Sequence, residues 1–211
     1  MINKAKSYEN ASNTIIANLK RRQMEGYYCA SKEEAMDKIL SLMPEGSSIG
    51  WGGSMTLGQI GFYDAVKSRN YDVIDRYAAK TMEEQKAVNA RLVNADFFFM
   101  STNAITMDGQ LVNIDGRGSR LAYLCCGPDN VIVVAGMNKV VEDVDSGIKR
   151  VHTMAAPPNA VRLSRRTPCA TTGQCGNCLS PDCICAQTVI TRFSTIPGRI
   201  KVVLVGEELG F

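Results

Sequence analysis

Apolar residues recur three or four positions apart in several parts of the chain, the spacing of one face of an α-helix. In residues 8–25 this face carries Ile15, Ile16 and Leu19, and Gly26 is expected to end the helix. Further helices are predicted over residues 31–43, 56–68, 81–94 and 139–154, with a short one in LAYLCC, residues 121–126.

Caps and prolines set the ends of these predicted helices. Ser31 and Thr81 are each followed three residues later by a glutamate, the capping-box pattern in which side chains satisfy free backbone N–H groups. Pro44 and the pair Pro157-Pro158 lack the backbone N–H that a helix interior requires. They are therefore expected to end the helices that precede them.

Short segments between the helices have the length and pattern of strands. DFFFMST (96–102) and NVIVVAG (130–136) are continuous apolar runs, typical of strands that are buried on both faces. The turn signal Asp108-Gly109 predicts a hairpin that joins 96–102 to 110–115. The other predicted strands are 27–30, 47–51, 71–77, 188–193 and 199–207.

The alternation of strands and helices predicts an α/β fold. Most of its sheet should be parallel and flanked by helices, with antiparallel strands added at the hairpins. No linker-like segment divides the chain before residue 157. Residues 1–211 are therefore predicted to form a single domain, with a cysteine-rich insertion over 157–187.

Composition and charge exclude several partner classes. Hydrophobic residues make up 45% of the chain and charged residues 21%, with a net charge of +3. The basic clusters 20–22 and 162–166 are not interleaved with aromatic residues, so nucleic acid is not an expected partner. No apolar run is long enough for a membrane span, and the first residues lack an export signal. A cytoplasmic location is expected.

The segment WGGSMTLGQIG (51–61) joins a predicted strand to a predicted helix. Gly52 and Gly53 would let the backbone approach a ligand closely, while Ser54 and Thr56 add hydroxyl donors near a helix N-terminus. These features favour a cradle for a phosphate, a carboxylate or a cofactor diphosphate. A tight strand-to-helix turn capped by Ser54 explains the same residues equally well.

A second polar segment, STNAITMDGQLVNIDGRGSR (101–120), directly follows a predicted buried strand. Ligands of open α/β sheets bind at the carboxyl ends of strands. The polar side chains of this segment are therefore expected to lie close to residues 51–61, the glycine-serine turn. Arg120 could bind a carboxylate through two parallel hydrogen bonds. The alternative is that the two Asp-Gly pairs are simple turns. The candidate residues are Asn103, Thr106, Asn113, Asp115 and Arg120.

Asn138 and Lys139 follow the second buried strand in the same way. Lys139 could neutralise a bound anion or could only begin a solvated helix. The single histidine, His152, is expected near a helix end, and no G-x-S-x-G motif accompanies it. A hydrolase triad is therefore not expected.

Five of the eight cysteines lie between residues 169 and 185, with the spacing C-x5-C-x2-C-x4-C-x1-C. In a reducing compartment such a cluster favours metal binding over disulfides, and thiolates prefer zinc or iron–sulfur clusters. Zinc sites commonly use two separated knuckles, whereas cluster sites gather their cysteines in one run, which fits this spacing better. The remaining cysteines, Cys29, Cys125 and Cys126, are predicted to be buried core thiols.

The most specific sequence pieces are GGSMTL, STNAITMDGQLVNIDGRGSR, VVAGMNKVV, AAPPNAVRL and CATTGQCGNC. Over most of the chain they resemble the LUD (lactate utilisation) domain family. The resemblance implies a fold like that of the NagB, RpiA and CoA-transferase group, which binds small anions. It also implies a role in the oxidation of lactate to pyruvate beside iron–sulfur partner subunits.

The resemblance also implies a ligand set. Cys169, Cys175, Cys178 and Cys185 match the cysteine pattern of the family, and Cys183 stands where the family more often has an arginine. Cys183 remains a spare thiol, an alternative ligand or a redox partner.

Three functions follow as expectations. The leading one is a [4Fe–4S] protein that binds a small carboxylate and acts as an oxidoreductase or electron-transfer component, with iron–sulfur partner subunits or as a homo-oligomer. The second is a CoA-transferase-like or isomerase-like enzyme acting on a small anion. The third is a non-catalytic accessory or sensor module with a structural zinc.

Overall fold

A six-stranded, fully parallel sheet forms the centre of the computed structural model, which describes residues 2–211. The strand order is β1-β10-β7-β4-β2-β3. A smaller sheet has the order β8-β5-β6-β9. The ten strands are β1 Glu25–Cys29, β2 Ser48–Trp51, β3 Asp72–Ile74, β4 Phe97–Met100, β5 Ala104–Thr106, β6 Leu111–Asp115, β7 Asn130–Gly136, β8 Val140–Val141, β9 Gln187–Thr191 and β10 Ile200–Val205.

Helices cover the sheet. They are α1 Ile2–Arg21, α2 Lys32–Ser41, α3 Met55–Gln59, α4 Phe62–Lys67, α5 Met82–Val93, α6 Ser119–Cys125, α7 Val144–Arg150, α8 Ala156–Arg162 and α9 Pro168–Thr172. A 3₁₀ turn spans Met137–Lys139, and a π-helical turn spans Val151–Ala155. Within residues 2–211, no helix combines the length and the apolar character that crossing a membrane requires.

Strand β4 shows why the central strands are apolar at every position. Successive side chains point to opposite faces of a sheet. Phe97 and Phe99 pack into the core beneath α2, α3 and α4, whereas Phe98 and Met100 pack into the core beneath α1, α5 and α6. Both faces are buried, so no polar position remains in the strand. The predicted α/β fold with a mostly parallel sheet and flanking helices is confirmed.

The predicted hairpin is wrong in its first strand. Residues 97–100 form β4, which lies in the parallel sheet between β2 and β7. The antiparallel partner of β6 is instead β5, which begins four residues after the end of β4. Thr102 turns the chain between the two sheets, since its hydroxyl binds the carbonyl oxygens of Ala104 (2.8 Å) and Val112 (3.1 Å). The turn at Asp108-Gly109 is present, and Gly109 has a φ of +86°.

Two predicted helix boundaries are also corrected. The helix expected over 56–68 is divided into α3 and α4, because Gly61 adopts a left-handed conformation with a φ of +74°. Pro157-Pro158 do not end a helix but stand in the first turn of α8, where a missing N–H leaves no hydrogen bond unmade. The segment expected as one helix over 139–154 comprises β8, α7 and the π-helical turn.

The caps behave largely as their sequence pattern predicts. Thr81 forms a complete capping box with Glu84, and the hydroxyl of Ser31 accepts a hydrogen bond from the backbone of Glu34. Cys29 is buried, as predicted. Cys125 and Cys126 are exposed, because they lie at the C-terminal end of α6, where the chain leaves the core.

Candidate functional site

The residues that follow four strands of the central sheet lie close together at one edge of the sheet. Thr56 follows β2, Ser101 follows β4, Lys139 follows β7, and the segment 207–211 follows β10. Because these strands are parallel, their carboxyl ends meet on the same side of the sheet, where ligands of open α/β sheets bind.

Lys139 lies at the centre of this group and is only 3% exposed. Its Nζ donates to Oγ1 of Thr56 and to Oγ of Ser101, both at 2.8 Å. Within residues 2–211 its charged neighbours are Arg150 and Arg120, and no carboxylate pairs with it. Burial, followed by the positive charges of Arg150 and Arg120, lowers the pKa of Lys139 from 10.5 to about 7.

Arg120 holds together the polar residues that follow β4 and β6. Its guanidinium donates to Oδ1 of Asp115 at 2.8 and 3.1 Å. It also donates to Oδ1 of Asn103 (2.8 Å), to Oδ1 of Asn113 (2.9 Å) and to the carbonyl of Ser101. The predicted convergence of these residues is present, but each guanidinium nitrogen already has an acceptor within the chain. The carboxylate that Arg120 binds here is that of Asp115.

Asn113 leaves one polar atom unused. It is completely buried, and its Oδ1 accepts from Arg120. Its Nδ2 has no acceptor among residues 2–211. A buried donor without a partner is uncommon in folded proteins, so this atom marks a place where a ligand or water oxygen is expected.

Arg150 belongs to the site and lies at the end of α7, and no sequence pattern pointed to it. Its Nη1 donates to the carbonyl of Asn103 at 2.8 Å, and its Nε donates to the carbonyl of Asn138 at 3.0 Å. Burial lowers the pKa of its guanidinium. The site therefore contains three basic side chains, and the carboxylate of Asp115 pairs with one of them, Arg120.

The remaining candidates of the glycine-serine turn have different places. Gly52 packs against Arg120, since a Cβ at Gly52 would lie 3.0 Å from Cγ of Arg120. Ser54 caps α3 by accepting from the backbone N–H of Leu57 at 3.2 Å. Gly53 is exposed beside Tyr77. The turn therefore has two roles: Ser54 caps a helix, and Gly52 packs against the side chain of Arg120.

Thr106 and Asn138 hold backbone segments in place. The hydroxyl of Thr106 accepts from the backbone N–H of Gln110 at 2.8 Å and so stabilises the β5–β6 turn. The Oδ1 of Asn138 accepts from the backbone N–H of Leu209 at 3.1 Å, which ties the segment after β10 to the site. Neither side chain contacts Lys139 through a hydrogen bond.

The cysteine stretch forms a second site. Its five cysteines line one cavity together with His152, and none of the eight cysteines is in a disulfide. Within residues 2–211, no three His, Cys, Asp or Glu side chains stand close enough to bind a single metal ion. The cavity-lining cysteines are Cys169, Cys175, Cys178, Cys183 and Cys185.

The sulfurs are close enough to influence one another. Burial raises the pKa of Cys185 to about 12, and the neighbouring Cys183, Cys169, Cys175 and Cys178 add to this rise by repelling negative charge. A bound cation or metal cluster would remove that repulsion. The backbone N–H of Cys185 donates to Sγ of Cys183 at 3.3 Å, which fixes the turn between these two thiols.

His152 belongs to this cavity, a place that the sequence did not predict. Its Nδ1 lies 3.4 Å from Sγ of Cys175. It stands in the π-helical turn Val151–Ala155, and such turns are frequent at functional sites. His152 was expected near a helix end, and it lies two residues after Arg150, the last residue of α7.

The two sites contact each other through the start of β9 and the end of β6. The backbone N–H of Ala186 donates to the carbonyl of Asp115 at 2.9 Å. Gly116 packs beneath the cysteine stretch, since a Cβ there would lie 3.2 Å from the carbonyl oxygen of Cys183. The residue that binds Arg120 is therefore also the anchor of the cysteine segment.

The model of the LUD domain matches residues 13–205. The chain belongs to the LUD domain family. Membership of this family supports a role related to lactate utilisation. No curated protein matches the chain in a sequence search.

Comparison with solved structures finds a protein that shares the fold of this LUD domain. A DUF162 family protein from Deinococcus radiodurans is 12% identical, with a TM-score of 0.56 over 94% of this chain and 97% of that one. The eIF2B delta protein from Chaetomium thermophilum is 17% identical over 54% of this chain and 49% of its own, with a TM-score of 0.38. Ribose 5-phosphate isomerase from Plasmodium falciparum is 17% identical over 53% of this chain and 52% of its own, with a TM-score of 0.35.

Removal of the Arg120 side chain tests its role in this LUD domain. The side chain is 12% exposed, and Arg120→Ala would remove both guanidinium hydrogen bonds to the Asp115 carboxylate and leave Oδ1 of Asn113 without its donor. We expect a loss of roughly 3 kcal/mol in the free energy of unfolding, measured by urea denaturation.

The control is Arg91→Ala. Arg91 binds Asp72 at 2.6 Å, but both side chains are more than half exposed, so the loss should be about 1 kcal/mol or less. Equal losses for the two variants would contradict the central position given to Arg120.

Proposed function

We propose that this LUD-domain protein holds an iron–sulfur cluster on its cysteine segment and acts as an oxidoreductase or electron-transfer component in the use of lactate or a related 2-hydroxy acid. The observation that carries the proposal is the convergence of five thiols on one cavity. We further propose a cytoplasmic location, since these thiols must stay reduced to serve as ligands.

The donor set fits a cluster better than a single zinc ion. A zinc ion draws its four ligands close together, whereas the four cysteines of a [4Fe–4S] cluster each bind a different iron and stand further apart. The five thiols line one cavity and come from a single run of the chain, and that compact run is what favours a cluster. The proposed ligands are Cys169, Cys175, Cys178 and Cys185, with Cys183 as the alternative.

The surroundings of these cysteines suit that role. Cys169 is buried at the start of α9, and its Sγ lies 3.2 Å from Oγ1 of Thr167. His152 can donate to the sulfur of Cys175, which would reduce the negative charge on a ligating thiolate. When bound, a cluster of this kind would accept or donate one electron.

The proposed reaction class sets the electron balance. Oxidation of a 2-hydroxy acid to a 2-oxo acid releases two electrons and two protons. A cluster carries single electrons, so an iron–sulfur partner subunit, or a second copy of this chain, is proposed as the acceptor. We propose that the small carboxylate binds at the basic site around Lys139, in which Asp115 accepts a backbone hydrogen bond from Ala186 of the cysteine segment.

Metal and sulfide analysis of anaerobically purified protein tests the proposal. We expect about four irons and four acid-labile sulfides per chain for a [4Fe–4S] cluster, with a broad visible absorption that bleaches on reduction. Stoichiometric zinc without sulfide would overturn the cluster and support a structural metal in an accessory module. Protein free of both metals after anaerobic reconstitution would overturn any metal at this site.

A further inference from the structure

We infer that Lys139 is the anchor of an occluded binding site for a small carboxylate, and that residues 207–211 form a cover that must move aside for the ligand to bind. The choice of a carboxylate rests on the proposed function. The occlusion and the cover are independent of the cluster.

The charge around Lys139 calls for an anion. The ammonium group is buried and bound only to the hydroxyls of Thr56 and Ser101, which do not neutralise it. The charged side chains that act on it, Arg150 and Arg120, are positive, and the carboxylate of Asp115 is paired with Arg120. A buried cation without a counter-charge is costly, and a ligand carboxylate beside Nζ would supply that charge.

The groups around Lys139 also offer a second point of attachment. The hydroxyl of Thr56 donates to the carbonyl of Leu209 across 3.4 Å, a long bond that a ligand oxygen could replace. The buried Nδ2 of Asn113 has no acceptor within residues 2–211. Asn113 belongs to the same polar network as Lys139, because Arg120 binds both Oδ1 of Asn113 and the carbonyl of Ser101, whose hydroxyl accepts from Lys139. One donor for a carboxylate and one for a second oxygen are the reason to test short 2-hydroxy and 2-oxo acids.

The cover lies directly on Lys139. Gly210 has a φ of +63°, and a Cβ at this position would lie 2.6 Å from Oγ1 of Thr56 and 3.2 Å from Nζ of Lys139. Glycine is therefore the residue that fits both the backbone conformation and the space. The amine cannot meet a ligand while this segment stays in place.

The cover is attached by contacts that can be released without opening the sheet. Strand β10 ends at Val205, before the cover begins. Asn138 accepts from the backbone of Leu209 at 3.1 Å and donates to the carbonyl of Gly210 at 3.5 Å. The backbone N–H of Gly210 donates to Oε1 of Gln59 at 2.6 Å. Glu207 accepts from the backbone N–H of Met137 at 3.0 Å and, through Oε1, from that of Lys32 at 2.8 Å, and the side chain of Leu209 is buried.

Calorimetric titration with L-lactate, pyruvate and acetate tests the site. We expect binding by the wild-type protein and a loss of at least about tenfold in affinity in Lys139→Met. Lys201→Met is the matched control, because Lys201 is a half-buried lysine on β10 that binds Asn130 at 2.9 Å, away from the site. Lys139→Gln serves if the methionine variant does not fold, with the same expected loss.

Stopped-flow association rates test the cover. Asn138→Ala and Gly210→Ala each weaken its seating and should raise the association rate constant several-fold. Glu208→Gln removes only an exposed ion pair between the same segment and Lys4 and should leave the rate unchanged. Equal rates in all three variants would overturn the cover, and equal affinities in Lys139→Met and wild type would overturn the anchor.

The outcome is separable from that of the proposed function. Iron and sulfide are measured in the same preparations. Carboxylate binding by protein that never holds a cluster would retain the site and overturn the redox role. If the protein holds a complete cluster but its Lys139 variants bind every probe as wild type does, the redox role is retained and the Lys139 site is overturned.

Discussion

Replacing Cys178 with serine should remove most of the iron and acid-labile sulfide from anaerobically purified protein. Cys178 forms the C-x-x-C pair with Cys175, and both thiols line the shared cavity. Serine is a poor ligand for iron at neutral pH, because its hydroxyl does not ionise as a thiol does. Changes in groups that merely support a ligand cost 10–100-fold in metal affinity, so loss of a ligand should cost at least about that much.

Exposed Cys125 is the control for this experiment, since it lies outside the cavity. Cys125→Ser should keep full iron and sulfide content. Cys183→Ser separates the two ligand sets: retention of the cluster supports Cys185 as the fourth ligand, and loss supports Cys183. Unchanged cluster content in Cys178→Ser would contradict the site as a whole.

Methionine at position 139 should abolish most of the rise in stability that the wild-type protein shows between pH 7 and pH 10.5. The pKa of Lys139 is about 7 in the folded chain, against an ordinary value of 10.5, so the unfolded state binds more protons in this window. The free energy of unfolding must therefore rise with pH, by at most roughly 1.4 kcal/mol per pKa unit. Below pH 7 and above pH 10.5 this residue adds no slope.

Urea denaturation at intervals across this pH range measures the effect. Lys139→Met removes the buried amine, so its free energy of unfolding should change less with pH. Relative to wild type, the variant should be most stable at the acidic end of the range. Lys201→Met should follow the wild-type curve. Parallel curves for wild type and Lys139→Met would show that the amine keeps its ordinary pKa in the folded protein.

The central sheet could be predicted because burial on both faces leaves a direct trace in the sequence. The runs 97–100 and 130–136 contain apolar residues at nearly every position, and both became central strands. The partner of β6 could not be predicted in the same way. Residues 97–100 and 104–106 both have strand character, and only the turn at Thr102 decides that they lie in different sheets.

The basic site was predictable in part. A rule about the carboxyl ends of parallel strands selected Lys139 and Arg120, because each follows a strand closely in the sequence. Arg150 and His152 were missed, since each reaches its site from helical turns distant in sequence from its partners. The continuation of the helix through Pro157-Pro158 depends on the π-helical turn before it, for which the sequence has no simple signal.

The hydrogen bond from Ala186 to Asp115 places the two sites within one thermodynamic cycle. If the proposed cluster and carboxylate are both bound, any change in cluster potential that the carboxylate produces must be matched by an equal change, in free energy, in carboxylate affinity when the cluster changes its oxidation state. The oxidised and the reduced protein would then hold the same carboxylate with different affinities. Such linkage would let the redox state of the protein favour binding or release of its ligand, while the potentials and concentrations of the reactants would still set the direction of the net reaction.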